Sequence, residues 1–397
     1  MLKKVIFLGS FLFLLNPVFS QKASGKTDAS IVKFLKGNIS DKTAAVREAS
    51  GEASAWLSNT AIDFALENKP LLGNDRELEG LAVAATLSIS QDYLASSNEE
   101  YIAEQENQFI KLFTEFDKSS TVQIAVLTKI VTLKDIIPVN SFVNTLNNYL
   151  KTTMIQDIDS SVFKTMLTTF NSIGNSESFI ILYSFLNNQK YAAYHTFIET
   201  TISELIPVCM NETIALIETS NMKQLSNIFA LSTNNSKISK NNLCEISEKV
   251  LSKSILLMNN TSMVSPEDVT TQINALKILT ENKWTRASAI TNSYFLLAKV
   301  LYARNIINED QFITTINAQS SVAPIDSVSS LTAYLEELNN QKEKGNYIST
   351  DIILSVIKTL GAIGEKSAFD SLLAVTYLNY EESVLTAARE ALSGLRW

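Results

Sequence analysis

Residues 160–205 and 350–395 carry the same apolar spacing, offset by 190 positions with no gap. Phe163, Met166, Leu167, Phe170 and Ile173 fall on Ile353, Val356, Ile357, Leu360 and Ile363. Gly174 then falls on Gly364, Phe179 and Leu182 on Phe369 and Leu372, and Ile202 and Leu205 on Leu392 and Leu395. Within each stretch the apolar residues recur at three and four, the spacing that gathers them on one face of a helix. A second comparison, at an offset of 40, places Val122, Val126, Leu127, Ile130 and Leu133 on Val162, Met166, Leu167, Phe170 and Ile173. It also places Val139, Phe142, Val143 and Leu146 on Phe179, Leu182, Tyr183 and Leu186. A pair of amphipathic helices repeated about every 40 residues cannot bury its apolar face alone, so successive pairs must stack into a continuous core. The pattern predicts an all-α fold.

Residues 354–395 add a more particular signature. One helix ends in Leu360-Gly361-Ala362-Ile363-Gly364, a second carries the paired Leu372-Leu373, and a third opens Val384-Leu385-Thr386-Ala387-Ala388. Near the other end, Ala45-Val46-Arg47-Glu48-Ala49 followed by Ala53, Ala55 and Leu57 echoes that opening. In these residues the chain resembles bacterial HEAT-repeat proteins, over 119–205 and 350–397 best and more weakly over 206–345. The resemblance implies an α-solenoid of stacked antiparallel helix pairs with an extended curved surface for contacts. HEAT patterns are mostly apolar spacing, so they specify a fold far better than a function.

Glycine (11) and proline (6) are scarce for 397 residues, which favours long helices with short connections over a sandwich or barrel. Helices are expected throughout 28–395, among them 41–67, 75–95, 190–206, 285–304 and 366–378. Connections are expected at Lys69-Pro70-Leu71 and Ile137-Pro138, with the likeliest bends at 259–266 and 343–346. No shift of composition marks a boundary, so residues 28–397 are expected to form a single elongated solenoid.

The first 27 residues are of another kind. Lys3 and Lys4 precede an apolar run from Val5 to Leu15, ended by Asn16-Pro17 and followed by Val18-Phe19-Ser20. This describes a secretory signal peptide, 1–20, cleaved after Ser20. The run is too short to cross a membrane, which needs roughly 20 apolar residues. Polar residues 21–27 read as a mobile leader. No later stretch is apolar for long enough to span a bilayer, so an exported chain, periplasmic or secreted, is expected. Without Lys3 and Lys4 it carries 31 basic against 41 acidic residues, and no basic run exceeds two. That balance opposes nucleic-acid binding.

Chemistry has little to draw on. The single histidine, His195, lies within an expected helix, where a surface or core-edge role outweighs a catalytic one. His195, Cys209 and Cys244 lack the clustered spacing of a zinc site. Cys209 and Cys244 could form one disulfide in an oxidising compartment or remain separate buried thiols. Gly361-Ala-Ile-Gly364 is a helix terminus, not a phosphate-binding loop. The pairs Glu99-Glu100, Glu336-Glu337 and Glu381-Glu382 could in principle serve carboxylate chemistry, but acids near helix starts are accounted for by the helix dipole. Tyr183, Tyr191 and Tyr194, and Tyr377 and Tyr380 at the equivalent connection, form either a ligand-binding strip or a cover for the core edge. No catalytic, cofactor-binding or metal-binding residue is assigned. The expectation is a non-enzymatic scaffold or adaptor that binds another macromolecule, most readily a protein, through the solenoid surface. The alternatives are a helical toroid with a carboxylate active site acting on glycans, and a structural envelope protein.

Overall fold

The structure, a computed structural model, describes residues 29–259 and 266–396, with side chains of 266–268 left aside. The signal peptide 1–20, the whole leader 21–27 and residue 28 lie outside the described residues, as do 260–265 in one of the two expected bends. Among the described residues the chain is all-α: every extended element is a helix, and the only β-type pairing is an isolated bridge between Glu365 and Arg396.

The contacts divide the chain between Ile173 and Gly174 into two compact units. The first holds α1 (Ala29–Lys36), α2 (Ile39–Glu48), α3 (Gly51–Leu72), α4 (Arg76–Ser88), α5 (Gln91–Ala95), α6 (Glu99–Glu115), α7 (Ser120–Leu133), α8 (Asn140–Thr152) and α9 (Ser160–Ile173). Each of α2, α4, α7 and α9 packs against the next in that series, and α3, α6 and α8 form a second series beside it. The two layers meet face to face through α2 with α3, α3 with α4, α6 with α7 and α8 with α9. Between them sit Phe109, Phe113, Phe116 and Phe142, all fully buried, with Phe113 edge-on to Phe142 (5.9 Å) and to Tyr149 (5.3 Å).

The second unit repeats the plan with α10 (Ser176–Leu186), α11 (His195–Leu205), α12 (Met210–Thr219), α13 (Met222–Thr233), α14 (Lys240–Asn259), α15 (Pro266–Glu281), α16 (Ser288–Ala303), α17 (Glu309–Val322), α18 (Val328–Glu343), α19 (Thr350–Ile363), α20 (Phe369–Val375) and α21 (Glu382–Ser393). The odd-numbered helices α11 to α21 each contact the next odd one. The even-numbered α10, α12, α14 and α16 do the same, and α18 contacts α20. Helices α14 and α15, on either side of 259–266, pack directly on one another. The contact pattern divides at Ile173–Gly174.

Two hydrogen bonds between neighbouring helices of the first unit are displaced from one another by the sequence period. Lys129 of α7 donates from Nζ to the Leu87 carbonyl of α4 at 3.1 Å, across 42 residues. Thr169 of α9 donates from Oγ1 to the Leu127 carbonyl of α7 at 3.3 Å, again across 42 residues. Donor and acceptor each move on by 40 positions from the first bond to the second. These two bonds within one layer thus share the 40-residue offset of the apolar pattern.

Local signals explain most helix ends. Asn38, Asp75, Asn98, Asn175, Asn221 and Asn308 accept backbone N–H bonds at helix starts, satisfying donors that have no partner inside the helix. Gly364 ends α19 in the left-handed region (φ 74°), and Gly361 brings α19 close to Ala391 of α21. Four expectations are corrected. The helix 41–67 is broken at Ala49-Ser50, both extended, and restarts at Gly51 with φ 59°. The helix 75–95 is broken where Ser90 caps α5. Pro70 does not interrupt α3, which runs on to Leu72 and closes at Gly73 with φ 63°. Residues 189–194, 285–287 and 366–368 form 3-10 turns ahead of α11, α16 and α20 instead of their first α-helical turns.

Candidate functional site

The residues singled out in the sequence do not converge. His195 opens α11, half-buried, its Nε2 enclosed without a hydrogen-bond partner. Cys209 and Cys244 are free thiols, both buried. Burial and the neighbouring Glu212 push the Cys209 thiol up to about 11, and burial also raises that of Cys244, so both remain protonated and poor nucleophiles. Glu99 and Glu100 occupy the exposed first turn of α6. Glu336 accepts from Ser371 Oγ (2.9 Å), and Glu337 pairs with Lys299 (2.6 Å), so both tie α18 to its neighbours. Glu381 holds the N-cap position of α21 without a side-chain capping bond, and Glu382 pairs with Arg389 at 2.9 Å. Among the described residues no group of three or more His, Cys, Asp or Glu side chains is placed to hold a metal ion.

The tyrosines separate into two roles. Tyr191 is buried and stacked on Phe185, ring centres 3.8 Å apart. Tyr380 is buried, donating to Asn339 Oδ1 at 3.2 Å, and Tyr183 is buried as well. These three cover the core edge. Tyr377 alone is exposed, at 80%.

A concavity among the described residues lies elsewhere in the second unit, at the turn from α16 to α17. It is an open cleft of about 670 Å3 lined by Thr270, Tyr302, Asn305, Ile306, Ile307, Asn308, Glu309 and Gln311. The turn is shaped by Asn305, which ends α16 with φ 57°, and by the Ile306 N–H, which donates back to the Leu301 carbonyl at 2.9 Å. Asparagine tolerates this left-handed geometry better than most residues. Asn308 and Gln311 then cap α17 reciprocally, side chain to backbone, at 2.9 and 3.0 Å.

Glu309 is held from both sides. Ser349, from the turn before α19, donates to Oε1 at 2.7 Å, and Tyr302 donates to Oε2 at 3.3 Å. Burial, with the Glu309 charge beside it, raises the Tyr302 phenol, so the hydroxyl keeps its proton. The Tyr302 ring stacks on Phe312 (4.9 Å, 10° between planes), and Phe312 lies parallel to Phe295 at 6.1 Å. Tyr334 meets Phe295 and Phe312 edge-on. Tyr302 is therefore the outermost ring of an aromatic column rooted in the core. Among the described lining residues Glu309 is the carboxylate.

Sequence reasoning passed over this site because its parts come from segments 270, 302–311 and 349, which no single motif joins. The one local signal is Asn305-Ile-Ile-Asn308-Glu-Asp-Gln311, a left-handed stop followed by a capping box.

No family model matches the chain, and neither does any curated protein or solved structure.

Proposed function

We propose that the chain is an exported HEAT-like α-solenoid, one stack over 28–397, that binds another protein along its helical surface and performs no chemistry itself. The observation that carries this reading is the polar register: Lys129 to Leu87 and Thr169 to Leu127, each spanning 42 residues and displaced by 40. Stacked repeats of this kind present wide surfaces built from equivalent helix faces. In the second unit's even-numbered helices, Leu256 on α14 and Leu296 and Val300 on α16 are exposed, which supports this reading. The same region of the chain carries inter-helix ion pairs, Lys249 with Glu218, Arg286 with Glu248 and Lys299 with Glu337. Exposed apolar residues rimmed by charge are typical of protein-binding surfaces.

Export rests on the residues 1–20 pattern, cleaved after Ser20, and places the protein in the periplasm or outside the cell. No helix among the described residues is long and apolar enough to cross a membrane. The test is in-cell cross-linking of the tagged full-length protein, with mass spectrometry of what is captured. Repeated recovery of one envelope protein, linked through lysines of a single layer such as Lys249, Lys253 and Lys299, is the expected result. Recovery of nothing above background would remove the scaffold reading.

A further inference from the structure

In the last part of the second unit, the connections that lead from even- to odd-numbered helices adjoin and form one edge. Ser349, before α19, donates to Glu309 at the start of α17 (2.7 Å), which ties the α16–α17 connection to the α18–α19 one. Tyr380, before α21, donates to Asn339 of α18 at 3.2 Å, and Lys342 in the last turn of α18 lies 5.1 Å over its ring. Those contacts tie on the α20–α21 connection. Tyr347 and Tyr377 stand on this edge, 90% and 80% exposed, one on each of two consecutive connections. Neither ring is held in the core. A single exposed aromatic is ordinary. Two on adjoining connections, spaced like neighbouring helices at about 8–10 Å, make a pair of footholds for one extended ligand.

Charge selects the ligand. Each odd helix starts on this edge with exposed carboxylates, Asp310 in α17, Asp351 in α19, and Glu381 and Glu382 at α21. Counting Glu309 and Glu343 as well, residues 304–310, 342–351 and 376–382 hold six acids against three bases, Arg304, Lys342 and Lys344. The helix dipole favours acids at helix starts, so alone they would name no ligand. Beside open tyrosine rings they do, because a guanidinium or ammonium group is drawn both to an aromatic face and to a carboxylate. The chain's net charge of −8 adds a long-range pull on positive segments. An extended backbone covers the 8–10 Å between connections in about three residues. Granted the protein-binding role, on which this step rests, we infer that the edge takes an extended, arginine- and lysine-bearing segment of the protein partner. Basic side chains about three residues apart rest on Tyr347 and Tyr377, with the helix-start carboxylates beside them.

The experiment is fluorescence anisotropy of the full-length protein with a labelled Gly-Ser-Arg repeat peptide, and a Gly-Ser-Glu repeat as its acidic twin. Binding of the arginine peptide alone, weakened by added salt, is expected. Tyr347→Ala and Tyr377→Ala should each weaken it about two- to fivefold. Both rings are exposed, so the melting temperature should not change. Tyr347→Phe keeps the ring face and should bind like the parent. In-cell cross-linking, repeated with both alanines in one chain, separates two failures. A partner captured equally by the parent and by that double variant overturns this edge and leaves the protein-binding role intact. Nothing captured by the parent removes that role and the partner segment with it. With the peptides, three results would overturn the inference: no preference for arginine over glutamate, affinity untouched by both alanine variants, or tyrosine-dependent binding of a neutral polysaccharide in place of the arginine peptide.

Discussion

Asp63, on α3, lies where two helices leave a carboxylate incompletely solvated. Gln108 of α6 donates to its Oδ1 at 2.9 Å, and Gln105 donates to Gln108 Oε1 at 2.8 Å, forming a short chain of amides that ends on the acid. Desolvation raises the Asp63 carboxyl above its usual 3.8, with Glu104 adding to the rise, while Gln108 and Lys111 oppose it. The folded state thus binds the proton more readily than the unfolded chain. Asp63 therefore subtracts stability at neutral pH, and that loss is recovered as pH falls through its raised value toward 3.8. Asp63→Asn keeps the acceptor for Gln108 and removes the charge. In urea unfolding at pH 7 the variant should be at least as stable as the parent, and the gap should close as the pH is lowered. A gap that widens on acidification would mean that the carboxylate is stabilised in the fold. Neither this amide chain nor the enclosed Nε2 of His195 is legible in the sequence, since both depend on which helices become neighbours.

At the level of elements, apolar spacing and capping residues foretold most of the helices, and the failures have identifiable causes. Pro70 falls in the last turn of α3, where the loss of one N–H leaves a single carbonyl unpaired and the helix persists to Gly73. The break at Ala49–Gly51 lies inside an unbroken apolar pattern, and only the left-handed Gly51 betrays it. The cleft was illegible for a related reason: Ser349 reaches Glu309 across 40 residues, one repeat away. Gly361 offers a test of how closely the elements pack. A Cβ there would come within 2.9 Å of Ala391 Cβ and 3.0 Å of its Cα. Helix propensity alone would make Gly361→Ala stabilising by about 0.8–1.0 kcal/mol. Overpacking of this kind costs about 1–3 kcal/mol, so a net loss on the order of 1 kcal/mol is expected in thermal or urea unfolding. Combining it with Ala391→Gly should relieve the clash between α19 and α21. A single variant more stable than the parent would show that these helices are not in close contact.

At the scale of the two units, the account rests on nearest-neighbour stacking: most helices of a layer meet the next member of that layer, and in the first unit two bonds between them lie 40 residues apart. The stability of such an array is a sum of local terms, so damage should stay local. Leu127, fully buried on α7, supplies both a core side chain and the carbonyl that receives Thr169. Leu127→Ala should cost about 2–5 kcal/mol where it acts. The most direct measurement is amide hydrogen exchange, read peptide by peptide, on the full-length protein with and without Leu127→Ala. Stacking predicts faster exchange in α4, α7 and α9 and in the α6 and α8 helices packed beside them, with α19 to α21 unchanged. Equal loss of protection from α2 to α21 would describe one cooperative core, and would contradict the repeat architecture on which the binding role depends.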